Sequence, residues 1–197
     1  MNTTRSGGLV LATLLAVMAP TTAAANTHRG MDAAQDVVQF HEDQTTTPVP
    51  DRADGDILRT SVRHGKRQVT LAMSYANLTS PSSDNEFGMH IFRILTNRQP
   101  IRELRLETTA TRPYGTLTIE TPNGHAVKCR GQRWTVSYAR HFVRVSVPRR
   151  CLGRPRWVRV GMATAKANTT RFAGYIDDAG TSGAPGLEPK WGPRVYR

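Results

Sequence analysis

The chain has 197 residues, 27 Lys+Arg against 15 Asp+Glu, a formal charge of +12 and two cysteines. That length corresponds to one domain, and 38% hydrophobic with 21% charged residues is too apolar for a wholly disordered chain. These figures exclude a large multidomain enzyme, a membrane channel and a cysteine-stapled miniprotein.

Residues 1–25 have the form of a secretory leader. Arg5 supplies a positive start, Leu9 to Ala19 form an apolar run, Pro20 ends it, and Ala23, Ala24 and Ala25 are small residues suited to a signal peptidase. The run is too short to span a bilayer, and no later window holds 18 apolar residues. The mature chain is therefore expected to be secreted, either released or held at the cell envelope without a membrane span. In an oxidising compartment the even pair Cys129 and Cys151 is expected to form a disulfide. It would close a loop of about 20 residues and stabilise the fold by roughly 3 kcal/mol.

Residues 26–54 are expected to be a flexible acidic arm. Up to residue 56 this stretch carries seven acidic residues (Asp32, Asp36, Glu42, Asp43, Asp51, Asp54, Asp56) and two basic ones (Arg29, Arg52). Thr45 to Pro50 has extended linker chemistry. Met31, Ala34, Val37 and Val38 recur at helical spacing and predict a short helical turn. The arm's charge also lets it fold back onto the basic remainder of the chain.

From residue 55 the pattern changes to period two. Strands are predicted over Ile57–Arg63 and Val69–Tyr75, with His64-Gly65-Lys66 as a hairpin turn. Further strands are predicted over Phe87–Leu95, Arg102–Thr108, Tyr114–Glu120, Ala126–Arg130, Trp134–Tyr138, His141–Val147, Arg156–Ala163 and Arg171–Ile176. Phe87–Leu95 is apolar on both faces and should be central. Pro122-Asn123-Gly124 is the clearest turn. Short alternating strands with turns every 8–12 residues and no long helix predict an all-β fold, an antiparallel β-sandwich over 55–178. A Gly/Pro-rich tail follows over 179–197, with Trp191 as a candidate anchor.

The charge is uneven. Residues 121–176 contain twelve Lys or Arg and no Asp or Glu, with Trp134, Tyr138 and Trp157 interleaved. Inward valines force the intervening arginines outward, as for Arg144 between Val143 and Val145 and for Arg159 between Val158 and Val160. Arg149, Arg150, Arg154 and Arg156 lie on a connection marked by Pro148, Gly153 and Pro155, where side chains are exposed. These six arginines are the candidate binding residues, since guanidinium groups grip phosphate and carboxylate in a bidentate way. The partner so implied is an anionic envelope polymer or polysaccharide rather than a specific nucleic acid. Arginine outnumbers lysine 23 to four, so codon usage in a GC-rich genome is the competing explanation.

No hydrolase elbow, zinc helix, phosphate loop or dinucleotide fingerprint occurs, and no catalytic residue or cofactor is assigned. A non-enzymatic binding module is the leading expectation. The alternative is a secreted hydrolase whose carboxylate or His site is assembled from loops. One acidic constellation suggests calcium: Asp54 and Asp56 open the first strand of the sandwich, and Asp177 and Asp178 close the last. Oxygen ligands converging at one pole are what that hard cation requires.

Four stretches carry a resemblance: Asp54-Gly55-Asp56-Ile57, Val145 to Gly153, Pro155 to Val160, and Asp177-Asp178-Ala179. Together they resemble uncharacterised secreted β-sandwich proteins of high-GC actinobacteria over about residues 55–180. The resemblance implies export and one disulfide, and it carries no activity.

Overall fold

A computed structural model describes residues 26–43, 45–170, 173–180 and 189–197. The expected leader, residues 1–25, lies outside them, as does the start of the strand predicted at Arg171. The described residues form thirteen strands: β1 (Asn26–Met31), β2 (Val38–Phe40), β3 (Thr46–Pro48), β4 (Ile57–His64), β5 (Gln68–Tyr75), β6 (Glu86–Thr96), β7 (Arg102–Thr109), β8 (Arg112–Glu120), β9 (Arg133–Ser137), β10 (Phe142–Pro148), β11 (Trp157–Asn168), β12 (Ala173–Asp178) and β13 (Val195–Tyr196). A single 3₁₀ turn, Arg149–Leu152, follows β10. No helix among the described residues is long and apolar enough to cross a membrane.

The strands make two antiparallel sheets. Sheet A has the order β1-β4-β5-β10-β9, and sheet B the order β3-β2-β12-β11-β6-β7-β8, with β13 added to β11. Alternation is the cause. On β5, Val69, Leu71, Met73 and Tyr75 are buried while Thr70, Ala72 and Ser74 are only partly covered. The paired β10 does the same with Val143, Val145 and Val147. Sheet B answers with Phe92 and Ile94 from β6, Leu104 and Leu106 from β7, and Val158, Val160 and Met162 from β11, all in one cluster with the valines of sheet A. Burying such side chains contributes roughly 1.5–3 kcal/mol each. β6 is central as expected, paired with β11 on one side and β7 on the other.

Cys129 and Cys151 are bonded, with Cα atoms 5.7 Å apart. Cys129 lies in the loop that crosses from β8 of sheet B to β9 of sheet A and Cys151 in the 3₁₀ turn after β10, so the bond fastens that crossover loop to the end of β10.

Three sequence expectations are corrected. The stretch 26–48 is not all arm: β1 runs beside β4 in a six-residue register from Asn26↔His64 to Met31↔Arg59, and β2 and β3 extend sheet B beyond β12. Residues 31–38 form no helical turn; they leave β1 and enter β2. The predicted strand at Ala126–Arg130 reduces to one bridge between Glu120 and Ala126, because the loop diverts to form the disulfide. The tail is anchored by Val195, which is buried, while Trp191 is only partly covered.

Candidate functional site: the outer face of sheet A and the acidic pole

None of the five strands of sheet A contains an Asp or Glu. With the hydrophobes turned inward, the outward positions carry Arg29 on β1, Arg59 and Arg63 on β4, Arg133 on β9 and Arg144 on β10, all exposed. The register orders them. Arg63 pairs with Thr70, Thr70 with Ser146 and Ser146 with Arg133, making one row. Arg29 pairs with Ser61, Ser61 with Ala72 and Ala72 with Arg144, making the next. In each row two arginines stand three strand steps apart, roughly 14 Å, and the rows are roughly 7 Å apart. Only small Ser, Thr and Ala side chains lie between, and Arg29, Arg63 and Arg144 flank a shallow depression of about 620 Å³ that also includes Thr27 and Gln68.

The face is extended at both ends. Exposed Lys66 and Arg67 occupy the β4–β5 turn. At the other end the guanidinium groups of Arg140 and Arg144 sit 4.9 and 5.4 Å from the Phe142 ring, contacts that hold cations on an aromatic face.

The six predicted arginines do not form one surface. Arg144 lies within the face. Arg150 is exposed close to its end and donates to the Arg130 carbonyl at 2.5 Å. Arg149 is 9% exposed; it donates to His64 Nε2 at 3.1 Å, to the Lys66 carbonyl at 3.1 Å and to the Pro155 carbonyl. It is thus a structural tie between the β4–β5 turn and the connection to β11. Burial holds its guanidinium below the usual value, helped by Arg197 and Arg154. Arg154 and Arg156 are exposed on that connection, off the strands of sheet A. Arg159, on the outer face of sheet B, donates to the carbonyls of Gly192 at 2.9 Å and Trp191 at 3.4 Å and so holds the tail. Sequence reasoning missed Arg29, Arg59 and Arg63, because attention to residues 121–176 left out the strands that pair beside β10. The alternation of β4 was the available signal.

The acidic pole is also rearranged. Asp36, Asp56 and Asp177 each place a carboxylate oxygen within 4.8 Å of the other two. Asp36 comes from the β1–β2 loop, Asp56 from the residue before β4, and Asp177 from the end of β12. The Ile57 amide donates to Asp177 Oδ2 at 2.5 Å and the Gln35 amide to Asp56 Oδ2 at 3.0 Å. Asp56 and Asp177 are 1% and 2% exposed. Burial, reinforced by Asp36, Asp32 and Asp56, pushes the Asp177 carboxyl up to about 8, and burial pushes Asp32 up to about 6. Of the four predicted ligands, Asp56 and Asp177 belong to this cluster. Asp54 does not: Lys166 Nζ donates to its Oδ2 at 2.5 Å, and Thr79 donates to the same carboxylate. Asp178 accepts from the Lys190 amide at 3.1–3.2 Å and anchors the tail. Asp36 was missed because its loop was expected to be a helical turn.

Among the histidines, His90 is 1% exposed, with Nδ1 2.9 Å from the Tyr75 hydroxyl. His64 is fully covered and spanned by Arg149 on one ring nitrogen and the Val195 carbonyl on the other. With Arg149 donating to Nε2, Nδ1 carries the proton and donates to Val195. Both rings are closed to substrate, and the carboxylates of Asp56 and Asp177 are equally enclosed, so neither constellation offers an accessible acid or base to a polymer. No protein-family profile matches the chain, and comparison with curated proteins and with solved structures yields no match.

Proposed function

We propose that the protein is a non-enzymatic extracellular or cell-envelope module that binds an anionic polymer across the outer face of sheet A. The observation that carries this reading is the exclusion of every acidic residue from five neighbouring strands, combined with arginines set in two rows across a floor of small hydroxylic side chains. An open shelf of this kind suits an extended chain with repeating negative groups better than a small molecule, which needs an enclosing cleft. Guanidinium forks on a rigid sheet lose little freedom on gripping phosphate, sulfate or carboxylate groups. The leader-like residues 1–25 and the bonded cysteines support an extracellular setting.

Binding of this sort releases counterions, so it must weaken steeply with salt, by a slope of roughly 0.7–0.9 per neutralised phosphate on nucleic-acid scales. The test is salt elution from teichoic-acid and heparin matrices. The quadruple variant Arg29→Ser, Arg63→Ser, Arg133→Ser, Arg144→Ser should elute well before wild type. The pair Arg154→Ser, Arg156→Ser, on the connection between β10 and β11 and not on the strands of sheet A, should change elution far less. If the quadruple variant elutes with wild type, or the pair does equal damage, the shelf is only a solubilising surface.

A further inference from the structure

We infer that Asp36, Asp56 and Asp177 form a calcium site that ties together three segments distant in sequence. Both carboxylate oxygens of Asp36 and Oδ1 of Asp56 are buried and have no hydrogen-bond partner. Asp56 itself is 1% exposed, so its free oxygen faces the cluster and not solvent. Among the described residues, no Lys, Arg or His comes within salt-bridge distance of these three carboxylates. Among the described residues, the hydrogen bonds these carboxylates accept come from the backbone amides of Gln35 and Ile57.

Buried carboxylates left in this state repel one another in a low dielectric, and a fold tolerates that only if a cation or shared protons complete them. The geometry and the donor chemistry fit calcium. Two oxygens bound to one calcium at roughly 2.3–2.6 Å lie at most about 5 Å apart, and all three pairs here lie within 4.8 Å. Magnesium demands strict octahedral order at roughly 2.0–2.1 Å and gives up its waters reluctantly, which suits an enclosed all-carboxylate cluster less well than the flexible coordination of calcium. The donors are all carboxylate oxygens, with no thiolate or imidazole among them, which disfavours zinc and copper. The loop supplying Asp36 is the one that must be fixed: Gln35 holds a left-handed φ of 66°, which turns the chain so that Asp36 enters the cluster. A bound ion would weld that loop to the start of β4 and the end of β12, and so fix β1 and β2 to the two sheets they complete.

The test uses the full exported chain, stripped with chelator. Calcium chloride titration by calorimetry should give one ion per chain, and calcium should raise the melting temperature above that in EDTA. Terbium should show sensitised emission displaced by calcium. Asp36→Asn, which removes no existing hydrogen bond, and Asp177→Asn, which still accepts from Ile57, should each weaken calcium affinity at least tenfold and abolish the thermal shift. Asp84→Asn, on an exposed loop, should leave both unchanged. The inference is overturned by absence of calcium binding, or by calcium binding that persists in Asp36→Asn and Asp177→Asn. It is likewise overturned if those variants melt higher than wild type in EDTA with no calcium response in any form, the signature of a proton-sharing cluster.

Discussion

Acid should unfold this protein from its centre, through His90. The ring sits on the inner face of β6, 1% exposed, beside the Tyr75 hydroxyl at 2.9 Å and Thr164 Oγ1 at 3.3 Å. Burial, aided by the charge of Lys166, pushes its pKa from 6.5 down to about 3. The folded-state value lies below the unfolded one, so the neutral ring contributes fully above pH 6.5 and the contribution is lost as pH falls below it. The loss runs at about 1.4 kcal/mol per pH unit until about pH 3. Between pH 6.5 and 4.5 that amounts to about 2.7 kcal/mol, a large part of a typical domain stability of roughly 5–15 kcal/mol. The measurement is urea denaturation of wild type and His90→Gln from pH 7.5 to 4.5. Other groups titrate in both chains, so the difference between the two stabilities isolates His90. Wild type should be the more stable at pH 7.5, and its advantage should shrink by about 2.7 kcal/mol by pH 4.5. Two parallel curves, or a native His90 ring signal that titrates near 6.5 in NMR, would refute the reasoning.

Two further outcomes concern the scaffold. Changing Cys129 and Cys151 together to Ser should lower stability by roughly 3 kcal/mol, because the unfolded chain recovers the entropy of a closed loop; alkylation followed by intact mass should find no free thiol in the native wild type. Gly115→Ala should cost more than Gly124→Ala in urea titrations. Both glycines hold left-handed φ, 81° and 76°, worth roughly 1–2 kcal/mol for any other residue. A Cβ at Gly115 would also lie 2.7 Å from Leu106 Cδ1 and 2.9 Å from the Glu107 carbonyl, whereas at Gly124 it meets open space; equal costs would show that the β7–β8 contact is softer than it looks.

What could be read from the amino acids was whatever a strand writes into its own alternation. β4 to β8, β10 and β11 were legible because each carries a buried row of Val, Leu, Ile or Met against polar neighbours, a local signal that survives without knowledge of the partner; β9 and β12 show it more weakly, through Val136 and Ile176. β2 and β3, at three residues each, are too short to show a period. β1 has no buried row of its own: its inward positions are His28 and Gly30, and its outward ones Thr27 and Arg29, so its pairing comes from β4. The candidate site suffered in the same way. Arg144 was visible from its valine neighbours, but its partnership with Arg29 and Arg63 depends on strand order, which joins residue 29 to residue 144 across three pairings. Arg149 looked like a loop arginine; its enclosure depends on His64, 85 positions away. The acidic pole was half legible, since Asp56 and Asp177 bound the strands whose ends meet there, while Asp36 arrives through a turn that no periodicity marks.

The bond from His64 Nδ1 to the Val195 carbonyl spans 131 positions, and that from Ile57 to Asp177 spans 120. A chain that emerges one residue at a time therefore cannot close this molecule until almost all of it is out. Sheet A can assemble early, since β4, β5 and β10 need nothing beyond Pro148. β6, β7 and β8 precede β10 and can cover part of the sheet's inner row, but the rest of that cover waits for β11 and the residues that follow. Distant pairings of this kind make folding slow and leave sticky intermediates. Delivery of the chain is thus a timing problem: a stall before Val195 leaves His64 without its carbonyl partner and β11 without β13.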